Sequence, residues 1–324
     1  MHAIVQHTFG PAETLRYEQV ADPHPGPGQV RIAVAASGVH LVDTAIRRGE
    51  PGPFPRPELP MTPGREVAGV VDELGEGVDP VWLGRRVVAH LGPASGGYAE
   101  LAVREVEALH ELPGAVGFEA AVAMIGTGRT TMSILRQAEL TADDVVVVTS
   151  AAGGIGNLAV QHAHSIGATV VGAASGSKLE HVTAAGADIA ADYTRDDWPD
   201  QVRQALDGRD VTAVLDGAGG APGRAAFDLL GAGGRIVLFG RPFGERAFTT
   251  DDLIARALTA TVALGPNLLR VPGGMRALEE ESMAALAEGR LAPLVGPPFP
   301  LAEAAAAHTA LEDRRTFGKL VLRP

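Results

Sequence analysis

The feature that most constrains this chain is an uninterrupted run of valines that leads into a cluster of glycines. The run spans Val145 to Val148, and Gly153, Gly154 and Gly156 follow it closely. An apolar strand, a glycine-rich turn and the start of a helix together form the phosphate-binding turn of dinucleotide-binding folds. The simpler alternative is a strand, a turn and a helix that bind nothing. The order of the three parts favours the binding site.

The glycine motif itself reads Ala151-Ala-Gly-Gly-Ile-Gly156. In the G-x-G-x-x-G register, Ala151 replaces the first glycine, Gly153 lets the backbone approach a pyrophosphate, and Gly156 lets the helix pack closely on the strand. The N–H groups and the dipole of the helix N-terminus then hold the phosphates. The residues predicted to bind the dinucleotide at this turn are Ala152, Gly153, Gly154, Ile155 and Gly156.

The residues after the next apolar strand, Thr169–Ala173, discriminate between cofactors. A site for NAD usually has an acidic residue there, which binds the ribose 2′-hydroxyl. This chain has instead Ser175, Ser177 and Lys178, which can bind a 2′-phosphate that an acid would repel. A solvated lysine at a helix start is the alternative interpretation of Lys178. Because the chain has only two lysines, the position of this one favours NADPH.

The pattern of apolar segments predicts two domains. Short extended runs separated by proline and glycine fill the first third of the chain, which is typical of a mostly antiparallel β domain. From about residue 120 onward, apolar strands alternate with helical segments, which predicts a parallel sheet covered on both faces. We place an α/β, doubly wound Rossmann-type domain at residues 122–264. Residues 1–121 and 265–324 then form the catalytic domain.

Composition excludes several kinds of chemistry. The sequence contains no cysteine, which rules out disulfides, thiolate catalysis and zinc sites that use cysteine. Its formal net charge of −12 argues against nucleic-acid binding, because neutralising phosphates needs clustered cations. The N-terminus lacks the features of a signal peptide, and no apolar run is long enough to span a membrane. We therefore expect a soluble, cytoplasmic protein without a metal site.

Further short motifs extend over nearly the whole chain, and their order and spacing are specific. They are Gly38-Val-His-Leu-Val-Asp43, Pro63-Gly-Arg-Glu-Val-Ala-Gly69, Gly96-Gly-Tyr-Ala-Glu100, Asp216-Gly217, Gly233-Gly-Arg235 and Gly318-Lys-Leu-Val-Leu322, with Gln161 and Gly167-Ala168 after the glycine turn. With these motifs the chain resembles the zinc-free quinone oxidoreductases, the zeta-crystallin-like branch of the medium-chain dehydrogenase/reductase superfamily.

The resemblance implies a mostly β, GroES-like catalytic domain and a homodimer. The apolar run Thr259–Leu264 is the candidate edge strand for that dimer. Zinc-dependent relatives have Gly-His-Glu where this chain has Gly64-Arg65-Glu66. Because arginine replaces the histidine and cysteine is absent, the resemblance implies a reductase that does not use a zinc Lewis acid.

The resemblance also implies contacts between the chain and the cofactor. Lys178 and Tyr193 stand where NADPH-dependent members bind the 2′-phosphate. Thr130 resembles the threonine that faces the nicotinamide, although Arg129 stands where the family usually has an apolar residue. The other residues that match segments lining the cofactor cleft are Gly217, Phe239, Gly240 and Lys319.

The loop around His40 departs from the family pattern. The family commonly has Asn-x-x-Asp and a tyrosine two residues after the Asp, whereas this chain has His40, Asp43 and Ala45. The missing tyrosine is the proton donor of enoyl reductases, so its absence weakens that activity. Histidine is a common proton donor in catalysis, which makes His40 a candidate donor, against the alternative of a loop histidine bonded to backbone. Asp43 is a second catalytic candidate, against a structural cap or an orienting partner.

These features predict a zinc-independent oxidoreductase that transfers hydride from NADPH to a small molecule, a quinone or another conjugated carbonyl compound. One alternative is an NADPH-dependent enoyl or 2-alkenal reductase that uses His40 or water as proton donor. The other alternative is a protein that binds NADPH without turnover, as some crystallins do. The loops at 47–60 and 243–251 are expected to shape the substrate pocket.

Overall fold

The computed structural model describes residues 1–50, 56–92, 95–240, 248–265, 267 and 270–324. Within these residues the chain divides into two compact units. Unit 1 is Met1–Thr127 together with Ser282–Pro324, and unit 2 is Gly128–Glu281. Parts of the two loops that we expected to shape the substrate pocket, 51–55 and 243–247, lie outside the described residues.

The strands of the described residues mostly coincide with apolar or alternating segments, where β-branched side chains favour an extended backbone. Numbered in chain order, they are β1 His2–Gln6, β2 Leu15–Gln19, β3 Gln29–Val39, β4 Glu66–Leu74, β5 Arg86–His90, β6 Leu101–Glu105, β7 Leu109–Glu111, β8 Val145–Thr149, β9 Thr169–Ala174, β10 Ile189–Asp192, β11 Val211–Asp216, β12 Leu230–Leu238, β13 Thr259–Val262, β14 Phe299–Pro300 and β15 Leu320–Arg323.

The helices of the same residues are short to medium in length. They are α1 Leu41–Arg48, α2 Phe118–Ala123, α3 Arg129–Ala138, α4 Gly154–Ser165, α5 Leu179–Ala184, α6 Trp198–Leu206, α7 Gly220–Asp228, α8 Thr250–Ala255, α9 Gly274–Ala287 and α10 Ala304–Glu312. A π-helical turn, Met124–Gly128, lies between α2 and α3. Over the part of the chain that the structure describes, we find no helix with the length and apolar character needed to cross a membrane.

Unit 2 is built on a parallel sheet of six strands. Their order is β10-β9-β8-β11-β12-β13, so the chain starts in the middle, moves to one edge and then returns to fill the other half. Counted within the unit, this is the order 3-2-1-4-5-6 of a dinucleotide-binding Rossmann fold. The predicted doubly wound α/β domain is therefore confirmed.

The valine run of β8 shows why this sheet forms. Successive side chains of a strand point to opposite faces, and here both faces are covered. Val146 and Val148 pack into one apolar cluster, whereas Val145 and Val147 pack into a second cluster that includes Phe227. Burying each valine contributes roughly 1.5–3 kcal/mol, so a strand of this composition is stable only in the centre of a sheet.

Unit 1 is built on a mostly antiparallel sheet. The strand order is β14-β15-β3-β4-β5-β7, and β6 also pairs with β3. The C-terminal strand returns to this unit, because Leu320 pairs with Val39 and Val321 pairs with Gly38. The predicted mostly β domain is confirmed, and α1 begins at Leu41, one residue beyond the end of β3.

Both boundaries between the units lie inside helical segments. The first falls in the π-helical turn between α2 and α3, and the second falls within α9. The boundaries predicted from the sequence, at 121/122 and 264/265, were placed where the composition changes. A boundary inside a helical segment produces no such change in composition. The predicted division stays a prediction. The glycines at 126 and 128 lie in the π-helical turn that separates α2 from α3.

Candidate active site

The turn after β8 in unit 2 has the close approach that the glycine motif predicts. Ser150 adopts a left-handed conformation with φ 51°, and Gly153 caps the N-terminus of α4. A Cβ at Gly156 would overlap the backbone carbonyl of Ser150, and one at Gly153 would lie 3.1 Å from the same oxygen. The first turn of α4 therefore packs directly against the end of β8. Ala152, Gly153, Gly154 and Ile155 form this tight entry to the helix, and their role in phosphate binding stays a prediction.

The candidates for the 2′-phosphate come together at the carboxyl ends of two neighbouring strands. Ser175 and Lys178 follow β9, where the Lys178 N–H donates to the Ser175 carbonyl at 2.9 Å. Tyr193 follows β10, and its N–H donates to the carbonyl of Ala174 at 3.0 Å. Adjacent parallel strands thus bring the serine, the lysine and the tyrosine to one corner of the sheet, as the sequence predicts.

An acidic residue that the sequence analysis did not single out holds the same corner together. Asp192 accepts hydrogen bonds from the backbone N–H and the hydroxyl of Thr194, at 3.0 and 2.6 Å. These bonds, chiefly the one from the hydroxyl, lower the pKa of Asp192, and the N–H of Gly176 adds to the effect. The acidic residue that binds the ribose of NAD is expected after β9, whereas Asp192 is the last residue of β10. The available signal was an aspartate directly before Tyr193 at the end of the next strand.

The loops after β11 and β12 approach each other closely. A Cβ at Gly217 would lie 2.5 Å from the ring of Phe239, and one at Gly240 would overlap the carbonyl of Gly217. The N–H groups of Phe239 and Gly240 both donate to the carbonyl of Asp216, at 3.0 and 3.2 Å. Gly217, Phe239 and Gly240 therefore form one compact surface at the carboxyl end of the sheet. Their contact with a cofactor stays a prediction.

The ends of β8 and β11 are joined by a buried hydrogen bond. The hydroxyl of Thr149 donates to the carboxylate of Asp216 at 2.6 Å and accepts from the N–H of Gly217 at 3.0 Å. The strand order reverses between these two strands, and in such sheets ligands bind where that reversal occurs. Neither residue was given a role from the sequence, although Asp216 is part of one of the motifs that carry the resemblance. Their signal was a polar residue at the end of an otherwise apolar strand.

The segment with Thr130 explains one departure from the family pattern. The Arg129 side chain is 10% exposed and forms an ion pair with Glu279 at 2.9 Å, within unit 2. An arginine is tolerated where relatives have an apolar residue because this carboxylate neutralises it. Thr130 follows on α3 and is half-buried, and its proximity to the nicotinamide stays a prediction.

Unit 1 contains a buried cluster of ionisable side chains, which we call the Glu66 cluster and define as Glu66, His40, Lys319 and Thr127. The His40 Nε2 atom lies 2.7 Å from Glu66 Oε1, and the Lys319 Nζ atom lies 2.9 Å from Glu66 Oε2. Lys319 Nζ is also 2.7 Å from His40 Nε2 and 3.3 Å from the Thr127 hydroxyl. Glu66 is fully buried and Lys319 is 4% exposed, whereas the His40 side chain is 24% exposed.

The Glu66 carboxylate is held in its charged form. Burial alone would raise its pKa, but the charges of His40 and Lys319 bring that pKa well below its usual range. Two glycines make room for the carboxylate, because a Cβ at either Gly38 or Gly126 would overlap a Glu66 oxygen. From the sequence, His40 was predicted as a proton donor and Lys319 as a residue of the cofactor cleft, and Glu66 had no predicted role. Pairing of β15 with β3 brings them together.

Asp43 is engaged in structural hydrogen bonds at the start of α1. Its carboxylate accepts from the backbone N–H of His40 at 2.8 Å and from the Tyr98 hydroxyl at 3.2 Å. The Tyr98 hydroxyl also lies 3.1 Å from Nε2 of His308. Burial, with Asp43 as the second cause, raises the pKa of Tyr98 well above its usual value. The geometry agrees with the cap interpretation of Asp43, and its direct catalytic role stays untested.

Family models match both units of the chain. The model described as "Alcohol dehydrogenase GroES-like domain" matches residues 26–114. The model described as "Zinc-binding dehydrogenase" matches residues 185–322. The first match covers much of the unit 1 sheet, and the second begins in unit 2 and extends into the C-terminal part of unit 1.

Relatives and solved structures match over nearly the full length. A quinone oxidoreductase of Pseudomonas aeruginosa is 32% identical over 98% of this chain and 97% of its own. A 2-haloacrylate reductase of Burkholderia sp. is 32% identical over 99% and 98%. The structure is similar to that of an NAD-dependent alcohol dehydrogenase, with a TM-score of 0.88, 30% identity and 100% of both chains covered. It is also similar to Escherichia coli quinone oxidoreductase complexed with NADPH, with a TM-score of 0.86, 28% identity and the same coverage.

The residues of this chain do not fit the metal that the name of one family model implies. Arg65 stands where zinc-dependent relatives have a histidine, and the sequence has no cysteine. The Glu66 oxygens face His40 and Lys319, and the described residues hold no group of three side chains of the metal-ligating types. The motifs, the strand order and the full-length relatives agree with one another. The chain belongs to the quinone oxidoreductase, or zeta-crystallin-like, branch of the medium-chain dehydrogenase/reductase superfamily.

Proposed function

We propose that this oxidoreductase transfers hydride from NADPH to a quinone or another conjugated carbonyl compound. The observation that carries the proposal is the corner of unit 2 where Ser175, Lys178 and Tyr193 follow neighbouring strands. A hydroxyl, an ammonium and a phenol suit a 2′-phosphate, which distinguishes NADPH from NADH. The similar Escherichia coli structure, complexed with NADPH, supports the same choice.

The remaining cofactor contacts follow from the turn after β8. The N–H groups at the start of α4 would hold the pyrophosphate, and Gly153 and Gly156 leave the room it needs. Thr130, Gly217, Phe239 and Gly240 would contact the nicotinamide half, as the family resemblance implies. NADPH, when bound, supplies the hydride.

Reduction of a quinone requires few catalytic groups from the protein. The acceptor gains a hydride and a proton, and the cofactor is oxidised to NADP⁺. The hydroquinone anion is stable enough for water to protonate it, so no dedicated acid is required. Ala45, at the position of the tyrosine donor of enoyl reductases, favours this substrate class. The role of the chain is to place the two reactants and exclude water.

A second candidate activity is reduction of an activated alkene, such as an enoyl compound or a 2-alkenal. The similar 2-haloacrylate reductase and the part-exposed His40 favour it. In this reaction hydride adds to the β-carbon and a proton adds to the α-carbon, so a proton donor is needed. His40 would supply that proton, and solvent would restore it.

Rates on matched acceptors distinguish these activities. We expect NADPH oxidation with 1,4-benzoquinone and 9,10-phenanthrenequinone, and slower oxidation with a 2-alkenal. Activity confined to the alkenal would make the alkene the substrate. Tight NADPH binding with no oxidation by any of the three acceptors would leave a binding protein without turnover.

We further infer that the reaction proceeds without zinc. The support is Arg65, the absence of cysteine and the engagement of Glu66 by two cationic or ionisable partners. Dialysis against a chelator should leave the rate of quinone reduction unchanged, and added Zn²⁺ should not raise it. A chelator-sensitive rate that Zn²⁺ restores would contradict this.

A homodimer is the assembly that the family resemblance implies. β13 supports it, because this strand forms one edge of the unit 2 sheet and Val262 on it is 57% exposed. An edge strand offers unpaired backbone groups to a second copy of the same strand.

A further inference from the structure

We propose that Lys319 acts on the substrate side of the reaction, as a positioning residue for His40, and that it does not bind the cofactor. This rests on the second candidate activity of the proposed function, the reduction of an activated alkene, in which the acceptor takes a proton from His40. The family resemblance placed Lys319 beside the cofactor, as the second lysine of a chain that has two. The contacts inside unit 1 assign it a different task.

The ammonium of Lys319 is committed to partners inside unit 1. An ammonium has three N–H donors and no acceptor. The Nζ atom lies near three acceptors, at 2.9 Å from Glu66 Oε2, 2.7 Å from His40 Nε2 and 3.3 Å from the Thr127 hydroxyl. Because the side chain is 4% exposed, Lys319 could bind a phosphate only by breaking its ion pair with Glu66.

The cluster is built around an ionised Glu66. The carboxylate has no exposed surface, and a buried charge is costly unless an opposite charge neutralises it. Gly38 and Gly126 flank the carboxylate, and any side chain at either position would occupy its space. Glu66 therefore needs Lys319, and the pair forms a fixed support for the imidazole of His40.

This support determines where His40 carries its proton. When the imidazole is neutral, Nε2 accepts from Lys319 and the ring proton is on Nδ1. When the imidazole is protonated, Nε2–H faces Glu66 Oε1 at 2.7 Å and Nδ1 again carries a proton. The backbone N–H of Asp43 donates to the His40 carbonyl at 3.0 Å, and in the capping box at the start of α1 it also faces the His40 side chain. The protonated imidazole is therefore the state that offers a proton at Nδ1.

The proton balance of the reaction then follows. The acceptor receives hydride, and its anion takes the Nδ1 proton of the imidazolium. Loss of this proton transiently leaves the other neutral tautomer, with its proton on Nε2 facing Glu66, and water then returns a proton to Nδ1. Lys319 stays charged throughout and touches neither reactant, which makes it a positioning residue. His90 also acts on the charge of Glu66, so it belongs to the electrostatic surroundings of the same step.

The two lysines allow a matched test with one substitution. Lys178→Met and Lys319→Met are each titrated with NADPH and NADH by cofactor fluorescence, and their kcat, KM and pH–rate profiles are measured. We expect Lys178→Met to weaken NADPH binding by about tenfold, with little change for NADH, because one charge-assisted hydrogen bond is lost. We expect Lys319→Met to change NADPH affinity less than about twofold. Its kcat with the 2-alkenal should fall by about tenfold or more, since general acid catalysis contributes about 10²–10⁴, whereas its kcat with the quinones should change little.

A second set of variants keeps the test decisive if Lys319→Met does not fold. The double variant Lys319→Met with Glu66→Gln removes both buried charges and should fold, bind NADPH as the wild type does and retain the loss of kcat. Lys319→Arg, which keeps the charge, should recover part of the rate. Nitrogen-15 spectra of labelled histidine report the His40 ring without turnover, and the double variant should move the His40 signals away from the wild-type protonation pattern.

The outcomes separate this proposal from the proposed function. If Lys319→Met or the double variant weakens NADPH binding as much as Lys178→Met does, Lys319 is a cofactor ligand and the proposal is overturned. Unchanged kcat and unchanged His40 spectra would also overturn it. If the wild type reduces none of the acceptors, the proposed function fails, while the cofactor titrations and the His40 spectra still decide the role of Lys319.

Discussion

Two histidines of unit 1 are held in buried polar contacts with opposite electrostatics. His40 faces the carboxylate of Glu66, whereas His308 is buried with its Nε2 atom 3.1 Å from the Tyr98 hydroxyl. Burial, assisted by the charges of Arg47 and Arg48, lowers the pKa of His308 to about 3. His308 is therefore neutral in the folded protein at any pH at which the enzyme would be assayed.

The lowered pKa of His308 predicts acid sensitivity. Between pH 6.5 and about 3 the unfolded chain binds a proton that the folded chain does not, so stability falls as pH decreases. From pH 7 to 5 this group alone should cost about 2 kcal/mol of unfolding free energy. Urea unfolding at both pH values measures it, with His308→Gln as the variant that should lose less stability on acidification. An equal loss in the variant and the wild type would contradict the assignment.

At the residue scale, the sequence identified more of unit 2 than of unit 1. Ser175, Lys178 and Tyr193 follow strands that are neighbours both in sequence and in the sheet, so local reasoning found them. In the Glu66 cluster, Glu66 is the first residue of β4, His40 follows the end of β3, and Lys319 precedes β15. A sequence without an alignment carries no sign of that pairing, and Glu66 consequently had no predicted role.

At the element scale, the turn from β8 to α4 depends on one glycine. A side chain at Gly156 would overlap the Ser150 carbonyl, which is backbone and cannot move away. We expect Gly156→Ala to destabilise unit 2 by about 1–3 kcal/mol, as overpacking does, and to weaken NADPH binding. Gly114→Ala is the control, because a Cβ there meets nothing within 4 Å. Thermal unfolding and an NADPH titration would measure both effects, and wild-type values for Gly156→Ala would refute the role of the turn.

Elements buried on both faces were the easiest to predict. β8 and β9 read as apolar runs because parallel strands are covered on either side, and their observed bounds differ from the predicted ones by one residue at most. The short helix α1 was missed because its N-cap residue is a histidine, whereas helix N-termini are usually recognised by Ser, Thr, Asp or Asn at this position. The π-helical turn was missed for a different reason. Two glycines lower helix propensity but do not specify which irregular helix forms.

At the scale of the whole molecule, the exposed edge of unit 2 predicts the oligomeric state. Val262→Glu places a charge on β13, and charged side chains on edge strands block pairing with another chain. We expect light scattering after size exclusion to give a dimer for the wild type and a monomer for this variant. Val81→Glu is the matched control, since Val81 is 51% exposed but lies in unit 1. A wild-type monomer, or a dimer that survives Val262→Glu, would exclude this edge as the interface.

The return of the C-terminal segment to unit 1 has a consequence for how a ribosome produces this protein. Unit 2 is continuous and can fold once its last residues emerge, whereas the sheet of unit 1 lacks β15 until residues 320–323 have been made. At about 5–20 residues per second, Glu66 is made roughly 13–50 s before Lys319. For that interval the nascent chain holds a carboxylate that cannot yet be buried. Closure of the β-rich unit therefore waits until Lys319 and β15 have been made.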